Sequence, residues 1–248
     1  MIDLNNISVI FAKGTPLENS IFKGLNLRIN DGEFVTVIGG NGAGKSTLMN
    51  VLSGDIRVHS GTMTLDKVNV THWPTEKRAK WISRVFQDPL LGSYADLTIE
   101  ENLSLAFSRD KKRTLKNAME SSTREFCREK LAHIGIGLEN RLSDKMGLLS
   151  GGQRQAVSLV MATLRPSKIL LLDEHTAALD PKMERLILEL TQKLISEKQL
   201  TALMVTHCMS QALEYGTRTL VMHHGKIVHD LTGEQRNKLQ ASDLIAFF

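Results

Sequence analysis

Apolar residues recur along this chain at two different periods. The runs Phe34–Ile38, Ile169–Leu172 and Ala202–Val205 are short and almost continuously apolar, which predicts parallel strands buried on both faces. A β-branched run over Ile7–Phe11 predicts a further strand. Between these runs the period becomes helical. Ser46–Leu52 places Leu48, Val51 and Leu52 on one face, and Gly54 is positioned to end that helix. Asp180 can cap a second helix with Pro181 at its first position, followed by an apolar stripe of Met183, Leu186, Ile187, Leu190 and Leu194. Strand and helix in alternation predict an α/β domain built on a mostly parallel sheet.

The segment LLSGGQRQAVSL, 148–159, starts a third helix. Ser150 is its N-cap and Gln153 completes a capping box, with apolar residues following at Val157, Leu159, Val160, Met161 and Leu164. Glycine just inside a cap costs conformational entropy, so Gly151 and Gly152 predict that something approaches this backbone closely. Residues 92–165 as a whole show no strand pattern, while Phe126, Leu131 and Ile134 mark an amphipathic helix stopped at Gly135. This stretch reads as a helical insertion. The first 30 residues and GTMTLDKVNV at 61–70 read as antiparallel strands flanking the core. The expected division is a single unit, with core and β subdomain over 1–91 and 166–248 and a helical subdomain over 92–165.

A chain of 248 residues with 42% hydrophobic content supports one large domain of this kind. No stretch is apolar enough to cross a bilayer, and MIDLNNISV, with Asp3 and no basic run, predicts no secretory leader. The two cysteines, Cys127 and Cys208, have neither metal nor redox spacing, which fits a reducing cytoplasm. The net charge of +4 is modest. Its one cluster, SRDKKRTLK at 108–116, reads as an exposed loop or helix end, with nucleic-acid or lipid contact as the alternative. His223 and His224 precede Gly225 in a hairpin turn and read as turn residues rather than metal ligands.

The chemistry enters with VTVIGGNGAGKSTLMNVLSG, 35–54, which runs from strand through glycine-rich loop to helix. Gly39, Gly44, Lys45 and Ser46 satisfy the phosphate-loop spacing. The backbone over Gly39, Gly40, Asn41, Gly42, Ala43, Gly44, Lys45, Ser46 and Thr47 is expected to wrap a triphosphate at the positive end of the helix dipole. Lys45 would reach the β- and γ-phosphates, and the Ser46 hydroxyl would help hold Mg²⁺. In ILLLDE, 169–174, an apolar strand delivers two acids to the carboxyl edge of the sheet, where ligands of such sheets bind. Asp173 would steady Mg²⁺, and Glu174 would accept a proton from an attacking water. Kinases, GTPases, helicases and transport ATPases all remain open at this point.

LSGGQRQ resembles the signature motif of ABC-type ATPases, and the resemblance extends over essentially the whole chain. It implies that Ser150, Gly151, Gly152 and Gln153 face the ATP held by a second cassette, so that two cassettes clasp two nucleotides head to tail. Gln87 in RVFQDP matches the glutamine that contacts Mg²⁺ or water and links core to insertion. AALD matches the loop that makes Asp180 a dimer contact, and His207 in MVTH matches the histidine that senses the γ-phosphate. The family also implies an aromatic that stacks on adenine. Phe11 is the candidate, with a core role as its alternative, and Phe22 reads as core. In DEHT, His175 stands where many relatives have proline.

The resemblance implies an ATPase subunit at the cytoplasmic face of the membrane, pairing with itself or a paralogue and bound to an integral membrane permease. GGNGAGKST, RVFQDP, TIEENL, LLSGGQRQA and DEHTAALDP are similar to importer ATPases that serve a branched-chain-amino-acid type of permease and an extracellular substrate-binding protein. The implied cargo is an amino acid or similar small solute, with an aromatic amino acid as the narrower reading, and no nucleic acid is expected. An export ATPase and a soluble non-transport ABC ATPase are the alternatives.

Overall fold

The computed structural model describes residues 1–109 and 121–247, so residues 110–116 of the basic run lie outside the described residues. The chain opens with β1 (Ile2–Phe11) and β2 (Asn19–Ile29), an antiparallel pair. β3 (Phe34–Gly39) enters a second sheet and feeds α1 (Lys45–Ser53), which ends at Gly54 with φ of 89°. β4 (Ser60–Leu65) and β5 (Val68–Asn69) return to the first sheet, ordered β2–β1–β4–β5. A single turn, α2 (Thr75–Arg78), leads into β6 (Ile82–Val85). Among the described residues that follow are α3 (Ile99–Phe107), α4 (Ser121–Ala132) and α5 (Gly151–Thr163).

The chain then alternates through β7 (Ile169–Asp173), α6 (Pro181–Lys198), β8 (Ala202–Val205) and α7 (Met209–Glu214). A hairpin of β9 (Arg218–His223) and β10 (Lys226–Thr232) is followed by the short α8 (Gly233–Asn237) and α9 (Ala241–Ile245). The second sheet is ordered β10–β9–β3–β8–β7–β6, parallel throughout except for the β9–β10 pair.

Alternation along the central strands divides the core. Leu171, Leu203 and Val205 pack with Leu48, Val51 and Leu52 of α1 and with Phe22 and Ile29 of the first sheet. Leu170, Leu172 and Met204 point the other way, onto Leu159 and Val160 of α5 and Ile187 and Leu190 of α6. Each such side chain contributes roughly 1.5–3 kcal/mol when taken fully from water. Because β3, β6, β7 and β8 run parallel, the segments leaving them emerge at one edge. Those segments carry the phosphate loop, Gln87, the Asp173–Glu174 pair and His207.

Candidate nucleotide site

Leaving β3, the chain turns over glycines and enters α1 at Gly44, an N-cap with φ of 100° and no side chain to bond the first amides. The helix start therefore presents its own donors and the positive end of its dipole. Lys45 is buried, and its ammonium donates to the carbonyls of Gly39 (2.7 Å) and Gly40 (3.0 Å). Burial lowers its pKa from the ordinary value, opposed by the charges of Glu174 and Asp173. A cavity of about 210 Å³ is lined by Asn41, Gly42, Ala43, Gly44, Lys45, Ser46 and Thr47, by Glu174 and His207, and by Ile21.

The loop is braced from below by residues that the sequence reading did not single out for this task. The Gly225 amide, in the β9–β10 turn, donates to the Ala43 carbonyl at 3.0 Å. A Cβ on Gly225 would lie 1.7 Å from the Ile21 carbonyl oxygen, so only glycine fits this approach. Phe22 is fully buried, as expected, and its ring fills the space beside Gly44.

At the end of β7 the two acids have different partners. Asp173 Oδ2 accepts from Arg84 Nη2 at 2.6 Å, and Arg84 also donates to Asn50 of α1 (2.8 Å) and to Asp55 (3.1 Å). The guanidinium lies over the Phe86 ring, with its carbon 4.7 Å from the centroid. Arg84 thus ties β6 and α1 to the first acid; the signal in the sequence is a charge inside the otherwise strand-like ISRV. Glu174 takes φ of 46°, an uncommon conformation outside glycine. Its amide donates to the Val205 carbonyl at 3.1 Å, and its Oε1 lies 2.6 Å from His207 Nε2. The next residue, His175, is buried against Thr191 of α6.

Phe11, Gln87, Asp180, Asp173 and the Ser150–Gln153 tip do not line the cavity. Phe11 ends β1, paired with Asn19 and 40% exposed. Gln87 is exposed just beyond β6, and the preceding Phe86 carbonyl accepts from Gln155 of α5 at 3.0 Å. Asp180 caps α6 as expected, accepting from the amides of Lys182 and Met183. Ser150 and Gln153 form the expected capping box at the start of α5. The two glycines behind that cap differ. Gly151 has open space where a Cβ would stand, whereas a Cβ on Gly152 would meet Met183 of α6 at 2.8 Å. The close approach read from the glycine pair is therefore met at Gly152 from within the chain, and only Gly151 is left bare.

The donor set suits the expected ligands. Main-chain amides, an uncapped helix start and a buried lysine match a polyphosphate. The Ser46 hydroxyl and the Asp173 carboxylate are hard oxygen donors, appropriate to Mg²⁺, which takes one or two protein oxygens and fills its shell with water and phosphate.

Residues 22–177 match the model of the family described as ABC transporter. Over its full length the chain is 44% identical to the tyrosine transport ATP-binding protein of Clostridioides difficile (strain R20291), covering 98% of that protein. It is 35% identical to the thiamine import ATP-binding protein of Shigella sonnei (strain Ss046), over 82% of each chain. Its fold superposes with a TM-score of 0.80 on a dimeric ATP-binding cassette in a post-hydrolysis state bound to ADP and Pi, at 28% identity, covering 94% of this chain and 98% of that one. The chain belongs to the ABC transporter family, as an ATP-binding subunit with ATPase activity.

Proposed function

We propose that this subunit powers import of an aromatic amino acid or a similar small solute, closing on a second cassette around ATP and acting on a separate membrane permease. The 44% identity to a tyrosine transport ATP-binding protein along the entire chain supports the cargo. The relative named for thiamine import supports the direction. Among the described residues no helix is long and apolar enough to cross a membrane, so a permease would have to be a different chain or segment. The family resemblance extends the reading to the cytoplasmic face and to an extracellular substrate-binding protein.

One observation carries the mechanism: the exposed tip at Ser150 and Gly151 does not line the cavity that gathers Lys45, Glu174 and His207. The Ser150 and Gln153 amides are taken up by the capping box, and the helix start at Gly151 and Gly152 between them suits a triphosphate on another copy. In this reading Lys45 and the loop amides hold the phosphates, while Phe11 stacks on the base. Mg²⁺, when bound, would neutralise phosphate charge, with Ser46, Asp173 and Gln87 as the residues that would hold it. Water attacks the γ-phosphorus, its proton passes to Glu174, and the bond to the β-phosphate oxygen breaks. His207, in contact with Glu174, orients that carboxylate and the terminal phosphate. Ser150, Gly151, Gly152, Gln153 and Asp180 from the second cassette complete the site on closure.

Permease docking fits a different surface. A groove of about 220 Å³ between β6, α3 and α5 is lined by Arg84, Phe86, Pro89, Tyr94, Leu105 and Met161 among others. Tyr94 of that lining is 65% exposed, and Leu90 and Leu91, which follow Pro89 in the chain, are 41% and 70% exposed. A helix end from a membrane protein is the occupant this reading assigns.

The decisive variant is Glu174→Gln, which keeps size and loses the basic oxygen. ATP binding persists, turnover falls by about 10²–10⁴-fold as expected for loss of a general base, and ATP-dependent dimers accumulate in sedimentation. Undiminished hydrolysis removes Glu174 from the mechanism. In vesicles holding the permease, ATP added on the cassette side must drive tyrosine toward that side; movement the other way makes the transporter an exporter.

A further inference from the structure

We propose that His175 is a positioning residue for hydrolysis, fixing the turn that aims Glu174 through a hydrogen bond to Thr191. This rests on the reading of Glu174 as the proton acceptor. The left-handed φ of 46° at Glu174 is a conformation that costs a non-glycine residue energy and persists only where its surroundings impose it. Three contacts impose it here. The Glu174 amide is held by the Val205 carbonyl at 3.1 Å, its own carbonyl accepts from the Ala177 amide at 3.0 Å, and His175 anchors the chain immediately after it.

That anchor has a definite sense. His175 is 2% exposed and Thr191 1%. The Thr191 hydroxyl has one proton, and it is given to the Ile187 carbonyl at 2.7 Å within α6. Thr191 must therefore accept from His175 Nε2 at 3.1 Å, which fixes the proton on Nε2. α6 is a rigid place to anchor, because its start is capped by Asp180 and its Met183 is seated against Gly152. The acid is thus tied, through one imidazole, to the helix that also packs against the signature tip. An ångström of misplacement at a reacting group costs about 10²-fold in rate, and the hydrogen bond removes the freedom that would allow it.

Thr191→Val keeps the side chain's shape and removes the acceptor. The expected result is a fall in kcat of about tenfold or more, with KM for ATP and ATP-dependent dimerisation within twofold of wild type. Thr191→Ser restores the rate, because it returns the hydroxyl. His175→Gln, with an amide donor reaching about as far as Nε2, retains most of the turnover. Wild-type kcat in Thr191→Val overturns the proposal, as does a loss in which kcat, KM and melting temperature all move and serine rescues none of them. A His175→Gln variant as slow as Thr191→Val also overturns it. Glu174→Gln measured in parallel separates the two levels: normal turnover there defeats the base assignment itself, whereas a dead Glu174→Gln beside an unimpaired Thr191→Val defeats only the role of His175.

Discussion

Cys127 is 1% exposed, and burial together with the nearby Glu100 charge pushes its thiol up to about 11. Cys208 is exposed at the start of α7, with its sulfur 3.0 Å from the Ser210 hydroxyl. The thiolate is the reactive species, so at pH 8 about one Cys127 in 10³ is ionised even before access is considered. A maleimide should label one cysteine per folded chain, at Cys208, and two in urea; rapid labelling of both in the native protein would show that α4 is not packed as described. The same shift gives a stability trend. A pKa raised above the unfolded value contributes fully below about pH 8.5. That contribution is lost as pH climbs toward the folded value near 11. Cys127→Ala should lose this component of alkaline destabilisation, read from urea midpoints between pH 8 and 10.

Elements buried on both faces were the legible ones. β3, β7 and β8 show as unbroken apolar runs because both surfaces of those strands meet packed side chains. The capped starts of α5 and α6 show because a cap is a local interaction between residues two or three apart. β6 was not anticipated: Ser83 and Arg84 interrupt its apolar pattern, and Arg84 reaches Asp173 on the neighbouring strand β7, 89 residues away in the chain. Contacts of that range leave no periodic trace. The short α2, α7, α8 and α9 were equally silent, having too few residues for a helical period to register. The strand, glycine-rich loop and helix over 35–54 were readable, yet the brace beneath them was not, since Gly225 meets Ala43 only after the chain has folded back. That brace is testable. Gly225→Ala places a methyl at 1.7 Å from a backbone carbonyl and strains a φ of 73°. It should cost about 2 kcal/mol or more, lowering the melting temperature by roughly 4–8 °C and weakening ATP binding along with it. A variant as stable as wild type would mean that the turn can move off Ile21 without penalty.

Scaled to the whole molecule, the proposed closure makes the start of α5, with its open Gly151, the feature that would separate what one chain does alone from what requires two. Ser150 supplies a cap and lies at the tip, so its replacement has two effects that must be parted. Ser150→Ala removes the oxygen that accepts from the Gln153 amide, at a cost of about 1 kcal/mol, and leaves the tip unobstructed. Ser150→Arg removes the same oxygen and fills the approach with a long charged side chain. Neither variant touches the cavity lined by Lys45 and Glu174, so ATP should bind the monomer of each normally. In the Glu174→Gln background, Ser150→Ala should still form ATP-dependent dimers, while Ser150→Arg should not. Complementation gives the sharper result. In the proposed head-to-tail closure, each site would be built from one chain's loop and the other chain's tip. Mixing Ser150→Arg with Lys45→Ala therefore leaves one composite site, joining the Lys45 loop of the first to the Ser150 tip of the second, with no substituted residue. That mixture should hydrolyse ATP although each variant alone is inactive. If no activity returns while the mixed dimer is seen to form, each chain must be completing its own site, and the tip of α5 serves some purpose other than sealing its neighbour's nucleotide.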